Sequence, residues 1–154
     1  GARDYFFNNR LKAWVFGSIL LAIPFDRQGN FLASLRLVQA ALEEKTPILI
    51  YPEGTRSITG KLQRFKLGVG VLAYELNVPV VPVYVSGTFG AMPKGRCFPL
   101  PRKVQVCFGE PVYPDVPQVD PDDDPSPSVA YVAIVRKLKQ SIEAMRDANG
   151  AETA

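Results

Sequence analysis

Apolar positions recur at helical spacing in two long segments of the chain. In residues 31–45 they fall three or four apart ahead of Pro47. Since proline disfavours a helical conformation in the residue before it, this spacing predicts a helix that ends before Pro47. A second stripe begins after Ser128, a good N-cap residue, and reaches Gly150, a suitable stop. Two further helices are predicted at 11–21 and 66–76.

Short, continuous apolar runs predict strands at Pro47–Tyr51, Val80–Ser86 and Lys103–Phe108. Runs of this kind are typical of strands covered on both faces. Together with the helices they predict an α/β fold with a mixed, largely parallel central sheet flanked by helices. Pro82 lies inside one run, which favours an edge or a bulge there because proline cannot donate a ladder hydrogen bond.

Prolines and aspartates dominate residues 114–127, and such a composition cannot build a core. We therefore expect three parts: a domain at 1–113, an extended acidic linker at 114–127 and an amphipathic helix at 128–150. The helix is expected to dock back on the domain, with binding to a partner helix as the alternative.

The net charge of +3 is unevenly distributed along the 154 residues. Residues 1–114 hold 14 Lys or Arg against 7 Asp or Glu, whereas residues 115–154 hold 4 against 8. A basic domain suits phosphorylated acceptors, the phosphates of coenzyme A and anionic lipid surfaces equally. Nucleic acid is not an expected partner, because the sequence contains no familiar nucleic-acid-binding motif.

The segment Tyr51–Ser57 has the composition of an anion site, and it directly follows the apolar run Ile48–Ile50. Gly54 can adopt a positive φ and bring backbone N–H groups close to a ligand. Arg56 supplies a fork that fits phosphate oxygens, and Thr55 and Ser57 add hydroxyl donors. The alternative is an ordinary turn after a strand, with a solvated arginine.

The sequence that follows makes the anion site the stronger interpretation. Between Gly54 and Tyr74 there is no Asp or Glu, while four residues are cationic: Arg56, Lys61, Arg64 and Lys66. Lys66 is the best candidate among the last three, because it stands at the predicted start of an apolar helix, close to the turn. Lys61 and Arg64 are equally consistent with a solvated basic face.

Together with Val78–Val83, Tyr51–Ser57 resembles the glycerol-phosphate acyltransferases, in particular the lysophosphatidate (1-acylglycerol-3-phosphate) acyltransferases. In that family a block led by Phe or Tyr and continuing Pro-Glu-Gly-Thr-Arg-Ser helps to bind the phosphate of the acyl acceptor. Every position of the block matches here. The resemblance thus implies phosphate-binding positions at Glu53, Gly54, Thr55 and Arg56.

The resemblance extends over most of residues 1–113. A second family block is similar to Ile23–Arg27, which implies a phosphate or acceptor contact for Arg27. Another block implies that Pro82 lies on the acyl side of the site, and Lys66 is expected to add positive charge for the phosphate. Because a carboxylate repels a phosphate, we expect Glu53 to orient a neighbouring group rather than touch the ligand.

One departure from the family pattern concerns catalysis. The family's general base is the histidine of a His-x-x-x-x-Asp block, and this chain contains no histidine. Asp4 and Asp26 have no partner base in view, and a carboxylate with a pKa near 4 is a poor acceptor for an alcohol proton. We therefore expect a fragment that starts after the catalytic block, with no catalytic residue of its own and no activity alone.

The resemblance implies transfer of a fatty acyl group to the free hydroxyl of lysophosphatidate or a related glycerol-phosphate acceptor. The donor would be acyl-CoA or an acyl-carrier protein thioester, acting as co-substrate, and no cofactor is expected. The alternative is a non-catalytic module of the same fold that binds lipid phosphates or membrane surfaces. A nucleotide-binding or serine hydrolase domain is disfavoured, because Gly-x-x-x-x-Gly-Lys and Gly-x-Ser-x-Gly are both absent.

Remaining features bear on metals and membranes. Cys97 and Cys107 lack metal-ligand spacing, so no metal site is expected; a hairpin disulfide between them is the alternative to two free thiols. The uncharged segment 13–25 is shorter than the roughly 20 residues that span a bilayer. Aromatic residues in 5–16 fit either a core helix or a membrane interface. We expect a location on the cytoplasmic face of a membrane, peripheral or anchored by upstream segments.

Overall fold

A computed structural model describes residues 31–55, 57, 59–92, 98–114 and 127–152. The chain divides into two compact units, one ending at Leu49 and the other starting at Ile50. The helix predicted at 11–21 lies outside the described residues, as does most of the acidic linker, 115–126. The proposed domain boundaries stay a prediction.

Helix α1 (Phe31–Glu43) confirms the first long helix in the sequence pattern. Its end is explained by Lys45, whose φ of 58° is in the left-handed region. The Lys45 N–H donates to the carbonyl of Leu42 at 2.9 Å, and the Thr46 N–H donates to that of Ala41, also at 2.9 Å. This pair of bonds is a Schellman motif, which satisfies carbonyls at the end of the helix and turns the chain away ahead of the proline.

The second unit holds the remaining elements in a fixed order. They are α2 (Gly68–Glu75), β1 (Val83–Ser86), the short helix α3 (Thr88–Ala91), β2 (Gln105–Phe108) and α4 (Pro127–Glu152). The helices predicted at 66–76 and from Ser128 are confirmed. Gly150 does not end α4, which continues to Glu152.

The core of this unit forms where α4 packs against α2 and the segment before it. Its buried side chains are Phe65, Val69, Ala73, Ile134, Val135, Leu138 and Ile142. The positions on α4 are spaced three or four apart, as a stripe facing one partner requires. The amphipathic helix therefore docks on its own chain.

Gly70 allows α2 and α4 to approach at backbone distance. A Cβ added at Gly70 would overlap the carbonyl oxygen of Tyr131 and lie 3.0 Å from Cγ2 of Val135. Beside this crossing the hydroxyl of Tyr131 donates a hydrogen bond to the carboxylate of Glu75. The ring of Tyr131 also packs edge-on against Tyr74, with 5.5 Å between the centroids.

Strands β1 and β2 pair antiparallel, with Tyr84 opposite Cys107 and Val85 opposite Val106. One face contacts the core through Tyr84, and Asn149 of α4 donates to Sγ of Cys107 at 3.1 Å. Cys107 is a free thiol. The other face leaves Val85 and Val106 exposed.

The sheet differs from the expected one. In the described residues it has two antiparallel strands, so a largely parallel central sheet is not confirmed. The strand expected at Pro47–Tyr51 does not form. The boundary between the two units falls inside this run, and Leu49 and Tyr51 are each 73% exposed. A strand requires hydrogen bonds to a neighbouring strand, which an apolar run alone does not supply.

The Tyr131 contact predicts a pH dependence of stability. Its hydrogen bond to Glu75 is the main cause that raises the pKa of Tyr131 from 10.0 to about 12. A group with a raised pKa in the folded state stabilises fully below its unfolded pKa, and that contribution is lost as the pH rises towards the folded value. Urea unfolding between pH 10 and 12 should therefore show a steeper loss for the wild type than for Tyr131→Phe. Tyr113→Phe, at an exposed tyrosine, should behave as wild type; identical slopes for wild type and Tyr131→Phe would contradict the prediction.

Candidate functional site

A β-turn formed by Tyr51–Gly54 provides one wall of the candidate site. The Gly54 N–H donates to the carbonyl of Tyr51 at 3.0 Å. Proline in the second position and glycine in the fourth are favoured in such a turn. Gly54 has a φ of 70°, as the sequence predicted for this position. The conformation of the turn therefore depends on Pro52 and Gly54, whose backbone preferences it requires.

An extended segment ahead of α2 provides the facing wall. The Lys66 N–H donates to the carbonyl of Pro52 at 2.9 Å and so ties this segment to the turn. Phe65 is only 6% exposed and belongs to the core, whereas Arg64 and Lys66 on either side of it are exposed. Phe65 therefore anchors this segment on the core, while Arg64 and Lys66 lie at the surface.

An open pocket of about 510 Å³ lies between the turn and this segment. Its lining residues are Glu53, Thr55, Gln63, Arg64, Phe65, Lys66 and Leu67. The structure thus brings together three of the residues that the sequence singled out: Glu53, Thr55 and Lys66. Arg64, for which a solvated face was equally consistent, lies on the pocket. Gln63 lines the pocket but was not among the predicted site residues. Its position next to Arg64 was the only feature of the sequence that could have indicated it.

The electrostatics of the pocket leave two cations and one acceptor without partners. In the described part of the chain, neither Arg64 nor Lys66 forms an ion pair. Oε2 of Glu53 is buried and, again among the described residues, has no hydrogen-bond partner. Leaving a buried acceptor unsatisfied costs roughly 1–3 kcal/mol. The pocket can therefore offer the positive charge of Arg64 and Lys66 to a ligand.

The loop beyond the turn is closed by its own polar groups. Oγ of Ser57 donates to the carbonyl of Lys61 at 3.0 Å, and Gly60 has a φ of 77°. The Ser57 hydroxyl proton is therefore used within the loop, which corrects the expectation that it is a free donor. Arg27 and Arg56, the two other predicted phosphate contacts, lie outside the described residues.

Pro82 does not line this pocket. It is buried ahead of β1, and its carbonyl accepts a hydrogen bond from the Gly109 N–H at 2.9 Å. Its ring lies against Gly109, where an added Cβ would come within 3.0 Å of it. A role for Pro82 on the acyl side stays a prediction.

The described ranges contain neither a candidate metal-binding cluster nor a candidate membrane-spanning helix. No cluster of three or more His, Cys, Asp or Glu side chains there has a geometry for a metal ion. None of the helices there combines the length and apolar character that crossing a bilayer requires.

Comparison with known proteins gives a consistent set of matches. The family model described as Acyltransferase matches residues 2–86. A probable 1-acyl-sn-glycerol-3-phosphate acyltransferase of Mycoplasma pneumoniae is 30% identical over 112 residues, which cover 66% of this chain and 42% of that protein. The 1-acyl-sn-glycerol-3-phosphate acyltransferase of Limnanthes douglasii is 36% identical over 87 residues, which cover 56% of this chain and 31% of that protein. Mouse 1-acyl-sn-glycerol-3-phosphate acyltransferase alpha is 30% identical over 118 residues, which cover 75% of this chain and 40% of that protein.

A solved structure agrees with these relatives. The crystal structure of the 1-acyl-sn-glycerophosphate acyltransferase PlsC from Thermotoga maritima matches with a TM-score of 0.53 and 32% identity. The match covers 73% of this chain and 46% of that one. The chain spans less than half of the length of each of these proteins.

Proposed function

Since this chain belongs to the acyltransferase family, we propose that its pocket binds the glycerol-phosphate part of an acyl acceptor in phospholipid synthesis. The acceptor is lysophosphatidate or a related glycerol phosphate whose free hydroxyl receives a fatty acyl group. One observation carries the proposal: Arg64 and Lys66, both without ion pairs in the described part of the chain, line the same pocket as Glu53 and Thr55.

This arrangement fits a ligand that has both an anionic end and hydroxyl donors. Arg64 offers a planar fork and Lys66 a point charge, and both bind phosphate oxygens well. Glu53 lines the same pocket, and its carboxylate is proposed to accept a hydrogen bond from a glycerol hydroxyl. Glu53 thus contacts the neutral part of the acceptor instead of its phosphate. Thr55 adds a hydroxyl at the edge of the pocket.

The family reaction needs an acyl thioester as the second substrate, carried by coenzyme A or by an acyl-carrier protein. The acceptor oxygen forms an ester bond with the acyl carbon, the carbon–sulfur bond breaks, and the acceptor proton ends on the thiol. A general base must take up that proton first. The 154 residues contain no histidine, so we propose that they bind the acceptor but do not transfer the acyl group alone.

Acceptor binding tests the proposal directly. Glycerol 3-phosphate is titrated into the chain by calorimetry, and Lys66→Gln and Arg64→Gln are each expected to raise Kd about tenfold, since a charge-assisted hydrogen bond contributes roughly 1.5–3 kcal/mol. Arg136→Gln and Lys137→Gln remove exposed cations from α4 and serve as matched controls that should leave Kd unchanged. Equal effects at the pocket and on α4 would show that binding follows overall charge, and the assignment would fail.

A second candidate is favoured by the missing histidine: a non-catalytic module that binds lipid phosphates or membrane surfaces with the same pocket. The two candidates share the binding prediction above and differ in the catalytic block. Reading the coding sequence upstream of Gly1 separates them, because His-x-x-x-x-Asp there supports acyl transfer by the encoded protein. For either candidate we propose a location at the cytoplasmic face of a membrane.

A further inference from the structure

Four large apolar side chains are exposed at one end of the two-stranded sheet, in the connection between β1 and β2. Phe98 is 81% exposed, and the other three are exposed by roughly two fifths: Phe89, Met92 and Leu100. Contiguous apolar surface of this kind is uncommon on a soluble monomer and marks interaction sites.

Backbone contacts bring these side chains to the same end. The Leu100 N–H donates to the carbonyl of Ala91 in α3 at 2.7 Å. The ring of Phe89 lies against Gly60, where an added Cβ would come within 3.1 Å of it. Gly60 has a φ of 77° and lies in the loop that follows the β-turn Tyr51–Gly54. The apolar end of the sheet therefore adjoins the loop that leads out of the pocket.

In the described part of the connection between β1 and β2, the charged residues are all basic. Lys61, Arg102 and Lys103 are exposed beside them, and none of the three forms an ion pair within the part of the chain that the structure describes. The sequence contains no Asp or Glu between Glu75 and Glu110. Cations around exposed apolar side chains match an anionic bilayer, because its headgroups attract Lys and Arg while its interface accepts aromatic and aliphatic side chains.

We propose that this basic-apolar end, formed by Lys61, Phe89, Met92, Phe98, Leu100, Arg102 and Lys103, docks on an anionic lipid bilayer. The aromatic and aliphatic side chains enter the headgroup region, and the cations bind lipid phosphates around them. The inference rests on the proposed function only in that the acceptor is a membrane lipid. Docking at this end holds the pocket close to the surface in which the acceptor lies.

The charge part of the proposal is tested by vesicle co-sedimentation of the 154-residue chain. The vesicles contain phosphatidylcholine, alone or mixed with phosphatidylglycerol. Arg102→Gln with Lys103→Gln should reduce binding to the mixed vesicles roughly thirtyfold, because each basic residue near an anionic surface contributes about fivefold. The control pair Arg136→Gln with Lys137→Gln removes two adjacent exposed cations from α4 and should change binding little. Equal losses for the two pairs would overturn the proposal.

The apolar part is tested by two phenylalanines of similar exposure. Phe98→Ser should reduce vesicle binding on the order of tenfold, as expected for losing a buried aromatic side chain. Phe108, at 73% exposure on the sheet face, is the control, and Phe108→Ser should leave binding near the wild-type value. Both changes are at exposed positions, and thermal unfolding monitors that the variants stay folded. A larger loss from Phe108→Ser than from Phe98→Ser would overturn the assignment.

Whether a bilayer or a second copy of the chain covers the basic-apolar end is tested separately from acceptor binding. Binding that is the same with and without phosphatidylglycerol, together with a dimer that Phe98→Ser converts to monomer, would mean that a second copy covers this end, and the bilayer proposal would fall. Glycerol 3-phosphate titration in the absence of vesicles should give the wild-type Kd for Arg102→Gln with Lys103→Gln. Vesicle binding that follows the expected pattern while glycerol 3-phosphate fails to bind would support this inference and overturn the proposed function.

Discussion

We expect Phe65→Ala to lower the free energy of unfolding by about 3–5 kcal/mol and to abolish acceptor binding with it. Phe65 is 6% exposed and packs in the core with residues of α2 and α4. Removing its ring leaves a cavity at the place where the extended segment is anchored. Arg64 and Lys66 are its direct neighbours in sequence, so the pocket loses the position of both cations at once. Urea unfolding and glycerol 3-phosphate titration measure the two losses on the same sample.

Leu67 provides the comparison, since it also lines the pocket but is 48% exposed. Leu67→Ala should cost less than about 1 kcal/mol, because it removes little buried apolar area. A cost for Leu67→Ala as large as that for Phe65→Ala would mean that the segment is not anchored through Phe65. Lys66→Gln completes the set: it should weaken binding while unfolding stays near the wild-type value.

Gly70→Ala should destabilise the second unit by about 2–3 kcal/mol, which is the upper part of the usual range for overpacking. The added Cβ meets the backbone carbonyl of Tyr131 and the side chain of Val135, so the two helices must separate. Backbone cannot move aside as a flexible side chain can. Chemical denaturation monitored by circular dichroism measures the effect.

The control lies two residues earlier in the same helix. An added Cβ at Gly68 meets nothing within 4 Å, and replacing glycine by alanine in a helix is worth up to about 1 kcal/mol. Gly68→Ala is therefore expected to leave stability unchanged or to raise it. A loss of stability for Gly70→Ala together with no loss for Gly68→Ala would locate the close approach at Gly70. An equal loss of stability in both variants would contradict a close helix crossing.

Local physics explains which parts of the fold the sequence predicts. Helix α1 and α4 follow from apolar spacing, and the positive φ of Gly54 follows from turn chemistry. Pairing of β1 with β2 brings together residues 19 to 25 positions apart. Which strands pair, and in which direction, is decided by contacts between distant segments, which local patterns do not encode.

The pocket was only partly predictable for a similar reason. Lys66 was expected at the start of a helix, but α2 begins at Gly68 and Lys66 lies on extended chain, tied to the turn through its backbone. That conformation, with Phe65 buried between two exposed cations, places Arg64 on the pocket. The local sequence of a basic residue beside a phenylalanine is the same in a pocket wall and on a solvated surface. The family membership was predictable because short contiguous blocks carry it, above all Tyr51–Ser57.

The hydrogen bond between the Lys66 N–H and the Pro52 carbonyl uses only main-chain atoms. Side chains at Gln63, Arg64 and Lys66 can therefore be exchanged without breaking the link that holds the two walls together. An evolving or engineered descendant can change the charge and shape of the pocket at these positions, at little cost in folding. If the proposed acceptor binds there, the same positions are the ones to vary in order to redesign which acceptor is preferred.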